Sequence, residues 1–185
     1  MKPVHVLEIC GSLRAGSSNL SLLEAARRVA PDDMTIKLYE GMATLPHFNP
    51  DVESSGQLPP EAMELRALVS TADALLISTP EYAHGLPGSF KNVLDWLVGA
   101  EDFAGKPVAI VSPSARAVYA LAQARLVLTT MSATLVDAAC IVVPLPSREM
   151  TADDIVRDPA LADTLRSALA DLSGFVRAAG QSASS

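Results

Sequence analysis

The amino-acid sequence predicts an α/β fold, a three-layer sandwich in which a five-stranded parallel sheet carries helices on both faces. Apolar runs typical of strands alternate along the chain with segments of helical periodicity. Two of these runs, residues 4–10 (VHVLEIC) and 72–79 (ADALLIST), are mostly apolar, as expected for parallel strands that helices cover on both faces. The 185 residues are enough for one domain with a substantial core.

The predicted elements follow one another in a regular order. Strands are predicted over residues 4–10, 35–40, 72–79, 108–112 and 135–144. Helices are predicted over residues 19–30, 61–71, 90–97 and 116–131, and in a C-terminal helix that lies between Asp158 and Val176. Turn-forming residues predict a long connection over 41–60. We expect residues 1–180 to form the domain and residues 181–185 to be a disordered tail.

Composition and charge bear on partners and location. The net charge of −7 at pH 7 argues against nucleic acid as the main partner. The N-terminal segment does not match a secretory signal, and the apolar stretch 126–146 contains Asp137 and two prolines, so we expect no membrane span. Cys10 and Cys140 lack metal-binding spacing and are expected to be reduced core thiols of a cytoplasmic protein.

Three loops are expected to carry the function. In sheets of this kind, ligands bind beyond the carboxyl ends of the strands, near the point where the strand order reverses. The loops in question leave the first, third and fourth predicted strands and cover residues 11–19, 80–89 and 112–117.

The first loop, CGSLRAGSSN, has the composition of a phosphate site. A loop that leads from a strand into a helix directs backbone N–H groups and the positive end of the helix dipole to one point. Gly11 and Gly16 allow a tight backbone. The side chains suited to a terminal phosphomonoester are Ser12, Arg14, Ser17, Ser18 and Asn19. Ser17 replaces the lysine of a P-loop, no GxGxxG motif is present, and the alternative is an ordinary helix N-cap with a solvated Arg14.

The segment GSLRAGSSN resembles the phosphate-binding segment of the NADPH-dependent FMN reductase family, a flavodoxin-like group that includes bacterial quinone, azo-dye and chromate reductases. Three further segments are similar to the same family: LPHFNPDVE (45–53), TPEYAHGLPGSFKNVLDWL (79–97) and, more weakly, ARAVY (115–119). The resemblance implies a flavodoxin-like sheet with strand order 2-1-3-4-5 and FMN as cofactor. It also implies NADPH or NADH as reductant, a small-molecule electron acceptor, and a homodimer or homotetramer.

By the same resemblance, the second loop lies along the edge of the isoalloxazine ring, with backbone N–H groups near N5 and the C4 carbonyl. The positions concerned are Pro80, Glu81, Tyr82, Ala83 and His84. Many family members have asparagine where this chain has Ala83, so an amide side chain is missing here. His84 is expected either at the rim of the pocket, against flavin or substrate, or as an exposed turn residue.

The third loop departs further from the family. Family members commonly have a glycine-rich turn whose N–H groups contact the pyrimidine end of the flavin. This chain has Ser112, Pro113 and Ser114 there. Pro113 removes one donor, and the hydroxyls of the two serines are expected to replace it. Arg116 is expected either to stabilise negative charge near N1 and O2 or to begin the helix as a solvated residue.

These features predict an NAD(P)H-dependent FMN oxidoreductase. By resemblance, hydride passes through the flavin N5, in ping-pong order, to a flavin, quinone or azo-type acceptor. No catalytic side chain and no metal site is expected, because the cofactor supplies the chemistry. Two alternatives stay open. One is a flavodoxin-like electron carrier. The other is a family member that has lost FMN binding, which the departures from the family pattern at Ala83 and Pro113 suggest.

Overall fold

The computed structural model describes residues 2–182 and contains a parallel sheet with helices on both faces. The strands are β1 (Val4–Cys10), β2 (Met34–Leu38), β3 (Ala74–Ser78), β4 (Pro107–Ser112), β5 (Thr134–Leu135) and β6 (Ile141–Val142). The helices are α1 (Ser18–Val29), α2 (Pro50–Ser54), α3 (Pro60–Thr71), α4 (Gly88–Leu97), α5 (Val118–Thr130), α6 (Ala152–Arg157) and α7 (Pro159–Ser182). The sheet order β2-β1-β3-β4-β5 confirms the predicted order, which reverses between β1 and β3.

The fifth strand, predicted as continuous over 135–144, is interrupted. β5 and β6 hold two residues each, both pair with β4, and a 3₁₀ turn over Asp137–Ala139 separates them. The Asp137 side chain is largely exposed and forms an ion pair with Arg125 of α5. The chain leaves the sheet between β5 and β6 at Asp137, because there the carboxylate reaches solvent and its partner on α5.

Alternate residues of β1 face two separate cores. Val4 and Val6 pack with apolar residues of α1, α6 and α7 on one face of the sheet. Leu7 and Ile9 pack with residues of α3, α4 and α5 on the other face. Trp96 belongs to this second core and is only 1% exposed, so it is a packing residue. Helices thus cover both faces of β1, which explains its mostly apolar sequence.

The C-terminal third holds more helix than the sequence predicts. α6 begins with a capping box in which Thr151 and Asp154 bond each other's backbone. α7 begins after Asp158, whose Oδ1 accepts the N–H groups of Ala160 and Leu161, as an N-cap residue does. α7 includes residues 181 and 182, which the sequence assigns to a tail, and residues 183–185 lie outside the described part. None of the helices within residues 2–182 has the length and apolar character needed to cross a membrane.

One carboxyl group is buried beneath α1. Glu8 of β1 has no exposed surface, and its Oε2 accepts a hydrogen bond from Arg27 of α1 at 2.7 Å. Its Oε1 has no hydrogen-bond partner among the described residues. Burial raises the pKa of Glu8 to about 7, and the bond from Arg27 opposes that rise. The pair joins α1 to the sheet, but ionisation of Glu8 is costly there.

Candidate functional site

A cleft of about 600 Å³ opens at the carboxyl ends of β1, β3 and β4. Its walls are the three loops that leave these strands and the segment 144–148 that follows β6. The cleft thus lies at the reversal of strand order, where sheets of this type bind ligands. Most of the predicted site residues line it: Ser12, Arg14, Ser17, Ser18, Asn19, Pro80, Glu81, Tyr82, Ser112 and Ser114.

The first loop passes very close to the end of β3. The Gly11 N–H donates to the Ser78 carbonyl at 2.8 Å, and a Cβ at Gly11 would lie 2.3 Å from Thr79 Oγ1. Gly16 has a φ of +68°, a conformation that glycine adopts without strain. The two glycines of this segment therefore meet separate needs, one for close approach and one for a left-handed turn.

The N-terminus of α1 presents hydrogen-bond donors to the cleft and has no acidic residue in its first turn. Ser17 caps the helix by accepting the Asn19 N–H at 3.3 Å. Asn19 Oδ1 accepts the Ser78 hydroxyl at 3.0 Å, whereas Asn19 Nδ2 makes no hydrogen bond to another described residue. The amide is thereby oriented with its donors available, and the first turn of α1 contains no acidic residue. Backbone and side-chain donors thus meet the positive end of the helix dipole.

Arg14 completes this end of the cleft. Its side chain is exposed, and no carboxylate among the described residues forms an ion pair with it. Its backbone N–H donates to Ser12 Oγ at 3.3 Å, which shapes the loop between the two glycines. Helix N–H groups, hydroxyls, an amide and one unpaired guanidinium suit a dianionic phosphomonoester, and so this donor set fits the phosphate of FMN.

The second loop forms a tight turn at the cleft edge. Tyr82 and Gly85 exchange both backbone hydrogen bonds, at 3.1 and 3.0 Å, so the Tyr82 N–H is occupied within the turn. Ala83 and His84 have φ values of +50° and +58°, as in a type I′ turn. This turn carries both residues away from the cleft, and neither lines it. The His84 side chain is 78% exposed and packs edge-on against Tyr119, which favours the turn-residue alternative.

Glu81 uses its carboxylate inside the protein. Its Oε2 accepts the N–H groups of Tyr119 at 2.8 Å and Ala120 at 3.0 Å, and its Oε1 lies 3.2 Å from His84 Nδ1. The bond from the Ala120 N–H lowers the pKa of Glu81, with burial opposing it. Since Ala117 at the N-cap has no side-chain acceptor, Glu81 caps α5 in its place. The sequence gives no sign of this contact, because its partner lies 38 residues further along the chain.

The third loop is held together by its own serines. Ser112 Oγ donates to the Ser114 carbonyl at 3.0 Å, so its proton is engaged within the loop. Ser114 Oγ accepts the Arg116 N–H at 3.1 Å and retains its own proton. Of the two hydroxyls expected to replace the donor missing at Pro113, the one at Ser114 is thus the one left to face a ligand.

The fourth wall of the cleft is not predicted by the sequence analysis. Residues 144–148 (PLPSR) continue the pairing of β6 with β4, because the Leu145 N–H donates to the Pro113 carbonyl at 3.1 Å. Arg148 lines the cleft from this segment. The available signal was an arginine soon after the last strand, at the same edge of the sheet as the three predicted loops.

No other reactive centre accompanies the cleft in the described part of the chain. Cys10 is buried, Cys140 is half-buried, and neither forms a disulfide. Burial raises the pKa of the Cys10 thiol, which keeps it protonated and unreactive. Within residues 2–182, no group of three or more His, Cys, Asp or Glu side chains is placed to hold a metal ion.

Comparison with known proteins agrees with this geometry. The sequence profile of the NADPH-dependent FMN reductase family matches residues 4–145. The chain belongs to this family. It is 40% identical over 114 residues to an NAD(P)H-dependent FMN reductase of Pseudomonas aeruginosa and 34% identical over 113 residues to a quinone reductase of Escherichia coli. Each alignment covers 60% of this chain and 60% of the relative's length.

A solved structure extends the likeness to nearly the whole chain. The flavoenzyme FerB of Paracoccus denitrificans, an NAD(P)H:(acceptor) oxidoreductase, superposes with a TM-score of 0.70 at 28% sequence identity. The superposition covers 94% of this chain and 96% of FerB. A WrbA-like flavodoxin of Agrobacterium tumefaciens, at 17% identity and a TM-score of 0.60, shares the fold. The flavodoxin-like architecture expected from the sequence is therefore confirmed.

Proposed function

We propose that the protein is an NAD(P)H-dependent FMN oxidoreductase. The observation that carries this proposal is the donor-rich N-terminus of α1, which has no acidic residue in its first turn and opens into the cleft of a chain that belongs to the FMN reductase family. FMN held in this cleft would supply the redox chemistry, which is hydride transfer through N5 from NADPH or NADH to a second substrate in ping-pong order. The residues of the chain hold, orient and shield the cofactor.

The first loop would hold the phosphate of FMN. Arg14 supplies a charged fork, Asn19 supplies amide donors, and the hydroxyls of Ser12, Ser17 and Ser18 supply further protons. The hydrogen bond from Ser78 to Asn19 fixes the amide before the ligand arrives, which lowers the ordering cost of binding. The backbone N–H groups at the start of α1 complete the contact.

The second and third loops would hold the flavin ring. Pro80, Glu81 and Tyr82 line the cleft, and the Glu81 carboxylate ties their loop to α5. On the other side, the Ser114 hydroxyl has a proton available for an acceptor on the ring. Tyr82 is half exposed at the rim, so its side chain is placed to cover part of the cofactor while the rest of the cleft stays open to substrates.

The second substrate would be a small electron acceptor: a flavin, a quinone or an azo compound. The name of the Escherichia coli relative, a quinone reductase, supports a quinone. The large apolar side chains that α5 exposes, Val118, Tyr119 and Leu126, support assembly with further copies of the chain, as a homodimer or homotetramer. Light scattering during gel filtration measures that assembly directly. The two free cysteines support a cytoplasmic location.

The test is an absorbance spectrum of the purified protein after FMN addition and desalting, followed by anaerobic NADPH or NADH. We expect retained flavin absorbance that bleaches on mixing. Retained flavin that neither nucleotide bleaches would identify an electron carrier and reject the oxidoreductase. Protein that stays colourless would identify a member that has lost FMN. Desalted FMN without protein is the control for carry-over.

A further inference from the structure

The second loop is attached to α5 at two points. At its start, Glu81 Oε2 accepts the N–H groups of Tyr119 and Ala120. At its end, Gln123 Oε1 accepts the Leu86 N–H at 2.8 Å. The loop supplies the acceptor of the first attachment, and the helix supplies the acceptor of the second. Both ends of the loop are therefore held against the first two turns of α5.

The segment between the two attachments is short and closed on itself. The two backbone bonds between Tyr82 and Gly85 keep it in a tight turn, so it has no slack to absorb a shift at either end. A Cβ at Gly85 would lie 3.3 Å from Gln123 Oε1, so the glycine leaves the space into which this oxygen reaches. The place of the turn relative to α5 is thus set by Glu81 at one end and by Gln123 at the other.

Gln123 itself does not line the cleft. It is exposed on α5, whereas the second loop lines the cleft with Pro80, Glu81 and Tyr82. The third loop, on the other side of the cleft, leads directly into α5 at Val118. A bond from α5 to the second loop therefore fixes the spacing between two walls of the cleft.

We propose that Gln123 is a positioning residue for the flavin ring, because its bond to the Leu86 N–H holds the second loop at a fixed distance from the third. This inference rests on the proposed function, since it concerns the ring of FMN. Gln123 bonds the second loop and not the first, which carries the phosphate site. Loss of the bond should therefore weaken binding of the ring and leave the contribution of the phosphate unchanged.

The first test follows the attachment without a ligand, by NMR-detected hydrogen exchange of the Leu86 amide in the flavin-free protein. Gln123→Met keeps the length of the side chain but removes the carbonyl acceptor, and it should speed this exchange about threefold or more. Gln123→Glu keeps an acceptor oxygen and should restore the slower rate. Equal exchange in the unmodified protein and in Gln123→Met would overturn the proposal.

The second test compares the affinities for FMN and for riboflavin, which is FMN without its phosphate, by quenching of flavin fluorescence. Gln123→Met should raise both dissociation constants by the same factor, about threefold to tenfold, so that the preference for FMN is kept. Gln123→Glu should bind both flavins within about twofold of the unmodified protein. A change for FMN alone would place the effect at the phosphate, and unchanged constants would show that the loop keeps its place without Gln123. Either result contradicts the proposal.

Gln57→Met is the matched control, since Gln57 is exposed between α2 and α3 and does not line the cleft. It should alter neither dissociation constant. Melting temperatures separate positioning from a merely structural role. If Gln123→Met and Gln123→Glu lose stability and flavin affinity equally, the acceptor oxygen has no part in the effect and the proposal is rejected.

The two tests also separate this inference from the proposed function. Unmodified protein that binds neither flavin rejects the proposed function and, with it, the role of Gln123 toward the ring. The exchange rates of the Leu86 amide still decide in that case whether Gln123 holds the second loop. Unmodified protein that binds both flavins, with affinities that Gln123→Met does not change, rejects the role of Gln123 alone.

Discussion

Two helices, α1 and α5, begin at the cleft, and they differ in whether a carboxylate of the protein binds their N-terminal N–H groups. α1 is capped by its own Ser17, has no acidic residue in its first turn, and faces donors and an unpaired Arg14 toward the cavity. α5 has no cap of its own, and Glu81 of another loop accepts its first free N–H groups. The positive end of α5 is thus neutralised by the protein, whereas that of α1 remains available to a ligand.

The difference teaches how two similar strand-to-helix connections acquire separate roles. Both helices follow central strands of one parallel sheet, so both point their N-terminal N–H groups at the same edge. One carboxylate, that of Glu81 on the second loop, decides which of the two helices serves as an anion site. The same contact joins the second loop to α5, and therefore a structural bond at α5 supports the shape of the cleft that α1 opens into.

Removal of the donors at α1 should have the largest effect on the ligand. The double variant Ser12→Ala, Arg14→Ala deletes a hydroxyl and the charged fork, and we expect the FMN dissociation constant to rise about a hundredfold or more. Quenching of flavin fluorescence measures it. Arg28→Ala, at the far end of α1, is the control and should leave the affinity unchanged. An unaltered affinity in the double variant would remove the distinction between the two helices.

The other end of α1 should respond to pH. The pKa of Glu8 is raised to about 7 from 4.5, so its contribution to stability is complete below pH 4.5 and is lost as the pH rises through 7. The loss is on the order of 3 kcal/mol in the free energy of unfolding. Urea unfolding at several pH values should show this fall, and Glu8→Gln should reduce it, since Arg27 is 39% exposed and stays solvated. The exposed control Glu149→Gln should keep the fall in the free energy of unfolding that the unmodified protein shows. A fall of the same size in Glu8→Gln would contradict this interpretation.

Loss of the α5 cap should have a smaller effect on the ligand than loss of the α1 donors. Glu81→Ala leaves the N–H groups of Tyr119 and Ala120 without their acceptor, and we expect a lower melting temperature and an FMN affinity weakened only a few-fold. Glu81→Gln, which keeps one acceptor oxygen, should lie between. An Ala variant that binds FMN as poorly as the Arg14 double variant would place Glu81 in direct contact with the ligand.

The pH dependence of the α5 cap has the opposite sign to that of Glu8. Hydrogen bonds lower the pKa of Glu81 below 4.5, so its stabilisation is present above pH 4.5 and is lost as the pH falls through the folded value. Melting temperatures measured between about pH 3 and pH 7 should therefore drop more steeply with acid in the unmodified protein than in Glu81→Gln. Parallel curves would show that the carboxylate does not cap α5 in solution.

The smallest expected effect lies at the turn that positions Glu81. Ala83 has a φ of +50°, a conformation that is strained for alanine. Asparagine adopts it more readily, because its short polar side chain can hydrogen-bond to the local backbone. Ala83→Asn should raise the free energy of unfolding by about 0.5 to 1 kcal/mol, measured by urea titration. Ala104→Asn, at a φ of −60°, is the matched control and should bring no gain. A gain of equal size at both positions would point to an effect unrelated to backbone strain.

The sequence predicts the parts of this site that rest on local pattern. The apolar runs place β1, β3 and β4, and the glycines, hydroxyls and arginine of residues 11–19 indicate the cradle at α1, since each acts within a few residues of its neighbours. The cap that Glu81 provides to α5 cannot be read in this way, because it joins loops distant in sequence. The break between β5 and β6 depends on the tertiary ion pair between Asp137 and Arg125. That Arg148 lines the cleft depends on the path of the segment after β6, which only the folded chain reveals.

The most direct measurement is the affinity of the unmodified protein for FMN compared with riboflavin, which differs from FMN only in lacking the phosphate. If the N-terminus of α1 holds that phosphate, FMN should bind about a hundredfold or more tightly than riboflavin, and the double variant Ser12→Ala, Arg14→Ala should lose most of that preference. Equal affinity for the two flavins in the unmodified protein would contradict the account.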